Sequence, residues 1–283
     1  MTKHAFLDAI VAAKREELPR RLEKEPLEAL KRRIARLDEQ QEGRGELWSL
    51  RRAVLEGPRG PLGGGKRIHL VGEIKKAVPG KGRIIDEFTR QALPRAYTHS
   101  GITAIAIHTE SKHYMGAVDH LEEARRVLDG YYPGGRPSLW RRDFLFDPYH
   151  IWETRAFGAD AVSLLPSILS DDELRTLTAL AGELGLECVL EAHDEDDVRR
   201  ALAANADIVC INNRDWGAPE ADLATTERLR PLIPVEKVVL SSGGVGSVDD
   251  VERLAACGVH AVVVGEALML ASDVKRMARG LLI

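Results

Sequence analysis

Two kinds of hydrophobic pattern succeed each other along the chain. Over residues 4–17 and 26–40, apolar side chains recur at helical spacing between Lys, Arg and Glu. Phe6, Ile10 and Ala13 share one face, and Leu27, Leu30, Ile34 and Leu37 share another. Both stretches are predicted as amphipathic helices. Residues 41–66 are polar and glycine-rich and end in Gly63-Gly64-Gly65, which predicts loop around one short helix near Leu47–Leu55. Beyond that point, short apolar runs fall at 68–74, 102–108, 138–142, 161–165, 187–191, 207–212, 237–241 and 260–264. Near-continuous apolar runs are what parallel strands covered on both faces require. The third run, residues 138–142, is the weakest, being short and ending in two arginines. Helical spacing returns between the later runs, over 121–128, 171–184, 194–204, 225–232 and 247–256. Ser170, Asp194 and Ser247 stand where N-caps belong. Eight strand–helix repeats predict an α/β fold, a single (β/α)8 TIM barrel over residues 67–283. Residues 1–66 read as an N-terminal helical extension of that one structural domain, not as a separate unit.

Composition narrows the class of ligand. The net charge is −4, so there is no basic excess of the kind that marks a nucleic-acid partner. No apolar run approaches the roughly 20 residues of a membrane span. The start, Met1-Thr2-Lys3-His4, lacks the apolar centre of a signal peptide. The expectation is a cytoplasmic protein that acts on a small molecule, with neither nucleic acid nor membrane as partner. Cys188, Cys210 and Cys257 lack metal-ligand spacing, and the first two lie in apolar runs. They read as small buried hydrophobes in a reducing compartment, and no metal is expected.

In this fold the reactive groups stand at the C-terminal ends of the strands. The predicted strand ends carry Glu73 and Lys75, then His108, Thr109 and Glu110, then Arg142 and Asp143. The fifth gives Glu191, the sixth Asn212 and Arg214, the seventh Ser241, Ser242 and Gly243, and the eighth Gly265 and Glu266. Charged residues are seldom buried unless paired or functional. Single pairs have bland explanations: Glu73 with Lys75, or Glu191 with Arg214. A whole ring of such groups at one end of the barrel is predicted to be a site. The glycine turns after the last two strands, Ser242-Gly243-Gly244 and Gly265-Glu266, predict a phosphate held on backbone N–H groups. Residues 75–82 are basic and contain two glycines, which reads as a mobile lid over an anionic substrate.

With these residues in place, the chain resembles the indole-3-glycerol-phosphate synthase family over almost its whole length. Residues 5–29 are similar to that family's extra helix, including an Ile-x-x-x-Lys-Arg-Glu pattern. GEIKKAVPGKG at 72–82, HTESKHYMG at 108–116, RRDF at 141–144, LEAHDEDD at 190–197, INNRDW at 211–216, SSGGV at 241–245 and VGEALM at 264–269 resemble its strand-end motifs in order. The resemblance implies a carboxy-lyase of tryptophan biosynthesis. Its substrate would be 1-(2-carboxyphenylamino)-1-deoxyribulose 5-phosphate, closed to an indole with loss of carbon dioxide and water and without a cofactor. It implies catalytic roles for Glu73, Lys75, Arg142, Glu191 and Asn212, and substrate binding by Arg214, Ser241, Ser242, Gly243, Gly265 and Glu266. A monomer or weak homodimer is expected.

Three positions depart from the family's pattern. Arg142 stands where the family has its general-acid Lys, Ser241 aligns with a Glu of the seventh motif, and Val78 and Gly80 replace the serines of Ser-Pro-Ser. Arginine does not give up its proton in proteins. Either Lys75 has to act as acid, or indole formation is weak or absent. The latter outcome would fit a divergent paralogue acting on a related arylamino-sugar phosphate or aromatic acid in a secondary pathway, or a non-catalytic phosphate-ligand-binding protein. The sister isomerase would require a first-strand Cys, which is missing here.

Overall fold

A computed structural model describes residues 3–41, 48–57, 68–85, 91–131, 136–216 and 220–283. Eight parallel strands close a barrel: β1 (His69–Ile74), β2 (Ala104–His108), β3 (Ser138–Arg142), β4 (Ala161–Leu164), β5 (Glu187–Ala192), β6 (Ile208–Asn212), β7 (Val238–Ser242) and β8 (Ala261–Val264). Each strand pairs with its sequence neighbours, and β1 closes the ring on β8. Alternate residues explain the continuous apolar runs. Val71, Ala106, Trp140, Val189, Cys210 and Leu240 fill the barrel interior, while Leu70, Ile105, Leu139, Leu190, Val209 and Val239 pack outward against the helices. No described helix is long and apolar enough to cross a membrane.

The charged third run is a full strand. It pairs residue for residue with β2, from Ala104 opposite Ser138 to His108 opposite Arg142. Its arginines are tolerated because they leave on opposite faces and both find partners. Arg141 faces outward and donates to Thr109 Oγ1 (2.9 Å) and Thr154 Oγ1 (3.0 Å); Arg142 points into the barrel mouth.

Among the described residues, three N-terminal helices precede the barrel: α1 (Lys3–Lys24), α2 (Leu27–Gln41) and α3 (Leu50–Glu56). The first runs well past the predicted 4–17 and continues through Pro19. Its buried face is Leu7, Ile10 and Lys14, with Ala13 only half-buried. Lys14 is buried because its Nζ meets Asp143 Oδ1 at 2.7 Å. Helix α3 supplies Leu50 and Val54 to the barrel interior. Ser49 Oγ, its N-cap, donates to Glu187 at the start of β5 (2.7 Å). It therefore seals the N-terminal end of the barrel and leaves the opposite mouth as the way in. The Gly63-Gly64-Gly65 run and Leu47 lie outside the described residues.

The predicted caps are in place, and Ser170 and Ser247 each complete a capping box. Helices over Ala92–Thr98, Pro148–Ala156 and Val274–Leu281 were not evident from spacing. Pro148–Ala156 has no exposed polar stripe to mark it, because Tyr149, His150, Glu153, Thr154 and Arg155 are all buried. The segment predicted as a mobile lid is a short hairpin, Ala77–Val78 against Gly82–Arg83. Its base is pinned: Lys76 and Ala77 donate backbone N–H bonds to Tyr114 O at 3.2 and 3.1 Å. The tip, Pro79 to Lys81, overhangs the mouth.

Candidate active site

A cavity of about 840 Å³ opens at the C-terminal mouth of the barrel. Its floor is a buried set of ionisable groups centred on Arg142. The guanidinium forms a fork on Glu191: Nε donates to Oε1 at 3.0 Å and Nη2 to Oε2. Nη1 donates to Glu73 Oε1 and to Ser242 Oγ (2.9 Å). The Trp140 ring lies beneath, 5.1 Å from the guanidinium carbon. Ser163 Oγ donates to Glu191 Oε1 at 2.5 Å, and itself accepts from the Trp140 indole N–H (2.9 Å). Lys75 Nζ donates to Glu73 Oε2. His108 Nε2 lies 2.9 Å from Glu73 Oε1, and its ring stacks on Tyr114 at 4.0 Å.

The electrostatics follow from this packing. Burial alone would raise the Glu73 pKa, but Lys75 and Arg142 outweigh it and hold the carboxyl well below its ordinary value. Glu191 is likewise lowered, burial being overcome by its Arg142 fork. Burial opposes the charge on Arg142, and the two carboxylates nonetheless push its pKa well above the usual value. Burial lowers His108 and keeps its imidazole neutral. The floor thus holds two carboxylates, two cations and one neutral imidazole, with no net charge.

Glycine at 265 is explained by this floor. A Cβ there would overlap Glu73 Oε2 and lie 3.0 Å from Lys75 Cε. The strand-one pair passes over β8 where only a hydrogen can face it.

At the phosphate-like end, Gly243 and Gly244 adopt φ of +88° and +82°, which glycine takes without strain. Arg214 lines this end. Its backbone N–H donates to Asn212 Oδ1 (3.1 Å), and its Nη2 donates to Glu266 Oε1 (2.9 Å). Glu266 also receives Lys81 Nζ from the hairpin tip at 2.7 Å. The suggested Glu191–Arg214 pair therefore does not form, and Glu191 belongs to Arg142.

Of the sequence-predicted site residues, Glu73, Lys75, Arg142, Glu191, Asn212, Arg214, Ser242, Gly243, Gly265 and Glu266 all line the cavity. Ser241 does not. It is fully buried on the outer face of β7, bonded to Asn213 Nδ2 (3.0 Å) and Thr226 Oγ1 (2.7 Å). Strand β7 runs one residue further than predicted, to Ser242, and Val238, Leu240 and Ser242 are its inward residues. One residue of register exchanges the two faces of a strand. The seventh-strand side chain that meets Arg142 is Ser242. Thr109 and Glu110 are also turned away: Thr109 Oγ1 donates to Asp143 Oδ2 (2.6 Å), and Glu110 accepts the backbone N–H groups of Lys112, His113 and Tyr114.

Sequence reasoning missed an aromatic wall. Phe6 of α1 stacks with Trp216 at 6.0 Å, and Phe144 lies 5.3 Å from Trp216. Tyr114 and Leu165 complete the cluster. Tyr114, Phe144 and Trp216 each sit inside a strand-end motif, and that position was the available signal.

A family profile described as indole-3-glycerol phosphate synthase matches residues 7–281. The chain belongs to the indole-3-glycerol phosphate synthase family. An indole-3-glycerol phosphate synthase of Acetivibrio thermocellus is 35% identical over 277 residues, 97% of this chain and 98% of the relative. One of Dehalococcoides mccartyi strain CBDB1 is 39% identical over 241 residues, 83% of this chain and 92% of the relative. Among solved structures, a thiamine phosphate pyrophosphorylase from Pyrococcus furiosus matches with a TM-score of 0.56 at 15% identity, over 76% of this chain and 94% of that one. A 3-hexulose-6-phosphate synthase matches with a TM-score of 0.55 at 18% identity, over 76% and 98%. These two share the barrel and no more. Indole-3-glycerol phosphate synthases are carboxy-lyases that close the indole ring with loss of carbon dioxide in tryptophan biosynthesis, on a phosphorylated small molecule, and this chain is a lyase of that type.

Proposed function

We propose that this synthase closes the ring of 1-(2-carboxyphenylamino)-1-deoxyribulose 5-phosphate with Lys75 as the proton donor and Arg142 as a fixed charge. The observation that carries this reading is the saturation of Arg142. Its guanidinium is bonded to Glu191, Glu73 and Ser242 at once, and arginine does not release a proton. Among the described residues, two lysines line the cavity, and Lys81 is engaged with Glu266 at the other end. Lys75 is the ammonium left beside the carboxylates.

In the proposed reaction the aryl carbon attacks the ketone carbon, and Lys75 Nζ gives a proton to the ketone oxygen. Loss of carbon dioxide returns the bonding electrons to the ring. Glu191 then takes the proton from the adjacent carbon and hands it to the departing hydroxyl, which leaves as water. Asn212 orients the hydroxyl. The phosphate is held by the backbone of the Gly243–Gly246 turn, by Gly265 and by Arg214, and the aryl ring lies against the Phe6–Phe144–Trp216 wall. Glu266 holds Arg214 and Lys81 in place. The same reading takes residues 1–66 as an extension folded on the 67–283 barrel. It takes the protein as cytoplasmic, as a monomer or weak homodimer, as needing no cofactor, and as engaging neither nucleic acid nor membrane.

The test is indole formation by the purified protein, followed by fluorescence and product mass. The unmodified protein is expected to turn over, and Lys75→Gln to lose about 10²–10⁴ in kcat. No indole from the unmodified protein, together with a gain in Arg142→Lys, overturns the assignment.

A further inference from the structure

Helix α1 lies outside the strand–helix repeat, yet its Phe6 lines the cavity. That ring stands between the loops of two different strands. It stacks on Trp216 after β6 and meets His113 after β2 edge-on, at 5.3 Å with 72° between the planes. Leu7 and Ile10 pack with Tyr114, Phe144 and Leu165 in the same cluster. Apolar contacts of this kind have no direction, so a helix resting on them alone can slide or turn at little cost.

Buried charge supplies the direction. Phe6, Ile10 and Lys14 are spaced four residues apart and fall one above another on α1. Lys14 is buried, and its Nζ meets Asp143 Oδ1 at 2.7 Å. The same oxygen accepts the backbone N–H of Phe144 (2.8 Å), the next residue and part of the aromatic wall. Oδ2 accepts from Thr109 Oγ1 (2.6 Å) and from Arg141 Nη2 (3.2 Å). A carboxylate has about four acceptor positions. Asp143 touches the cavity, but its positions are filled by the protein itself and none is left for a substrate. About two turns beyond Lys14, Arg21 Nε donates to Glu153 Oε1 at 2.8 Å, and Glu153 Oε2 lies 2.9 Å from Arg141 Nη2. Both cations of α1 thus close on the charges around Arg141. A buried ion pair contributes little stability beyond an apolar pair of the same volume, but breaking it is costly. Two such attachments along one helix set both its height and its rotation.

We propose that Lys14 and Asp143 are the positioning pair of the aryl subsite: their ion pair sets Phe6 through α1 and Phe144 through the backbone, and so decides how tightly the substrate's ring is held. The inference rests on the reading of the Phe6–Phe144–Trp216 wall as the place of that ring. Both are positioning residues, acting through the wall rather than on the reacting atoms. Those atoms are served by Glu73, Lys75, Arg142 and Glu191, which stand at strand ends of the barrel and are bonded to one another. The phosphate end is built on the loops after β6, β7 and β8. Loosening α1 therefore weakens the hold on the ring and leaves the other two parts of the site in place. Such a loss falls on ground state and transition state alike, which raises KM and spares kcat.

The experiment is a double-mutant cycle in the full chain: unmodified protein, Lys14→Gln, Phe6→Ala and the two together. Two probes are titrated by calorimetry, the ketone-reduced substrate, which carries the ring, and inorganic phosphate, which does not. KM and kcat for indole formation are measured below the melting temperature of each variant. Lys14→Gln is expected to raise KM and the Kd of the reduced substrate about tenfold, the scale of one aromatic contact, with little change in kcat and none in the Kd of phosphate. The double variant is expected to bind the reduced substrate little worse than Phe6→Ala alone, because residues that act as a unit are not additive. A pair that is only structural would lower the melting temperature and the active fraction and leave KM and Kd as they were; that result overturns the proposal, as does an equal loss of affinity for phosphate. If Lys14→Gln does not fold, Lys14→Arg takes its place, since its longer side chain pushes α1 away from Asp143, and a smaller rise in KM and Kd is expected. A Phe6→Ala protein that binds the reduced substrate as tightly as the unmodified one refutes the wall and the pair together. A loss in Phe6→Ala to which Lys14→Gln adds in full refutes the pair alone. If the unmodified protein forms no indole, the Lys75 assignment fails, while the Kd cycle still decides the role of Lys14.

Discussion

At the scale of single residues, the site is specified by who partners whom. Arg142 holds Glu191 in a two-point fork, and that geometry is available to a planar guanidinium but not to an ammonium. Where the family resemblance implies a proton-donating Lys, Arg142 is therefore a clamp, and on the proposed reading the acid chemistry falls to Lys75. Gly265 shows how little slack remains. Glu73 cannot yield to a methyl group there, because Arg142, Lys75 and His108 hold it from three sides. Gly265→Ala is expected to displace the Glu73–Lys75 pair and lower kcat by about 10²-fold, the usual cost of misplacing a reacting group by about 1 Å. Wild-type kcat in that variant would show that the floor can rearrange.

At the scale of elements, the decisive fact is the parity of β7. Ser241 and Ser242 are adjacent and chemically identical, yet one lies against the outer helices and the other beside Arg142. A paired substitution reads this directly. Ser241→Glu places a carboxylate in a fully buried position among Asn213 and Thr226 and is expected to destabilise the fold by about 3 kcal/mol or more. Ser242→Glu brings the carboxylate to the Arg142 guanidinium and is expected to leave the melting temperature close to that of the unmodified protein. The reverse order in thermal melts would mean that β7 is registered the other way. The short hairpin after β1 belongs to this scale too. Its main-chain bonds to Tyr114 tie the loop after β1 to the loop after β2, so Lys81 reaches Glu266 from a fixed base.

At the scale of the molecule, the N-terminal helices and the barrel are joined by buried charge. Lys14 of α1 reaches Asp143 beside the active site, and Arg21 reaches Glu153 on the helix behind β3 (2.8 Å). Burial would raise Asp143, but Lys14 and Arg141 hold its pKa far below the ordinary value. A carboxyl depressed in the folded state contributes stability that is fully present above its unfolded pKa of about 4 and is lost as the pH falls below it. Lys14→Met leaves Asp143 without its nearest cation, and such losses cost about 3–5 kcal/mol when the pair is buried. Urea unfolding at pH 7 and pH 2 is expected to show that loss at neutral pH and a smaller difference between variant and unmodified protein at pH 2, well below the unfolded pKa. No loss at pH 7 would mean that the pair does not bind α1 to the barrel.

The sequence alone determined the class of fold and most of the residues that gather at the barrel mouth. Apolar runs of parallel-strand type, their spacing and the polar residues at their ends follow from local chemistry, and ten of the eleven predicted site residues line the cavity. What only the tertiary structure decided depends on groups far apart in the chain. The side to which Ser241 turns is set by pairing across β6 and β8, and a shift of one residue leaves the hydrophobic pattern nearly unchanged. The partner of Glu191 is Arg142 rather than Arg214 because β3 and β5 aim both side chains at the barrel axis. The aromatic wall draws Phe6 from one end of the chain to Trp216 near the other. Helix Pro148–Ala156 hides its polar residues against its neighbours. Periodicity reports which face of an element is covered; it does not report what covers it, because covering is a relation between segments that meet only when the barrel closes.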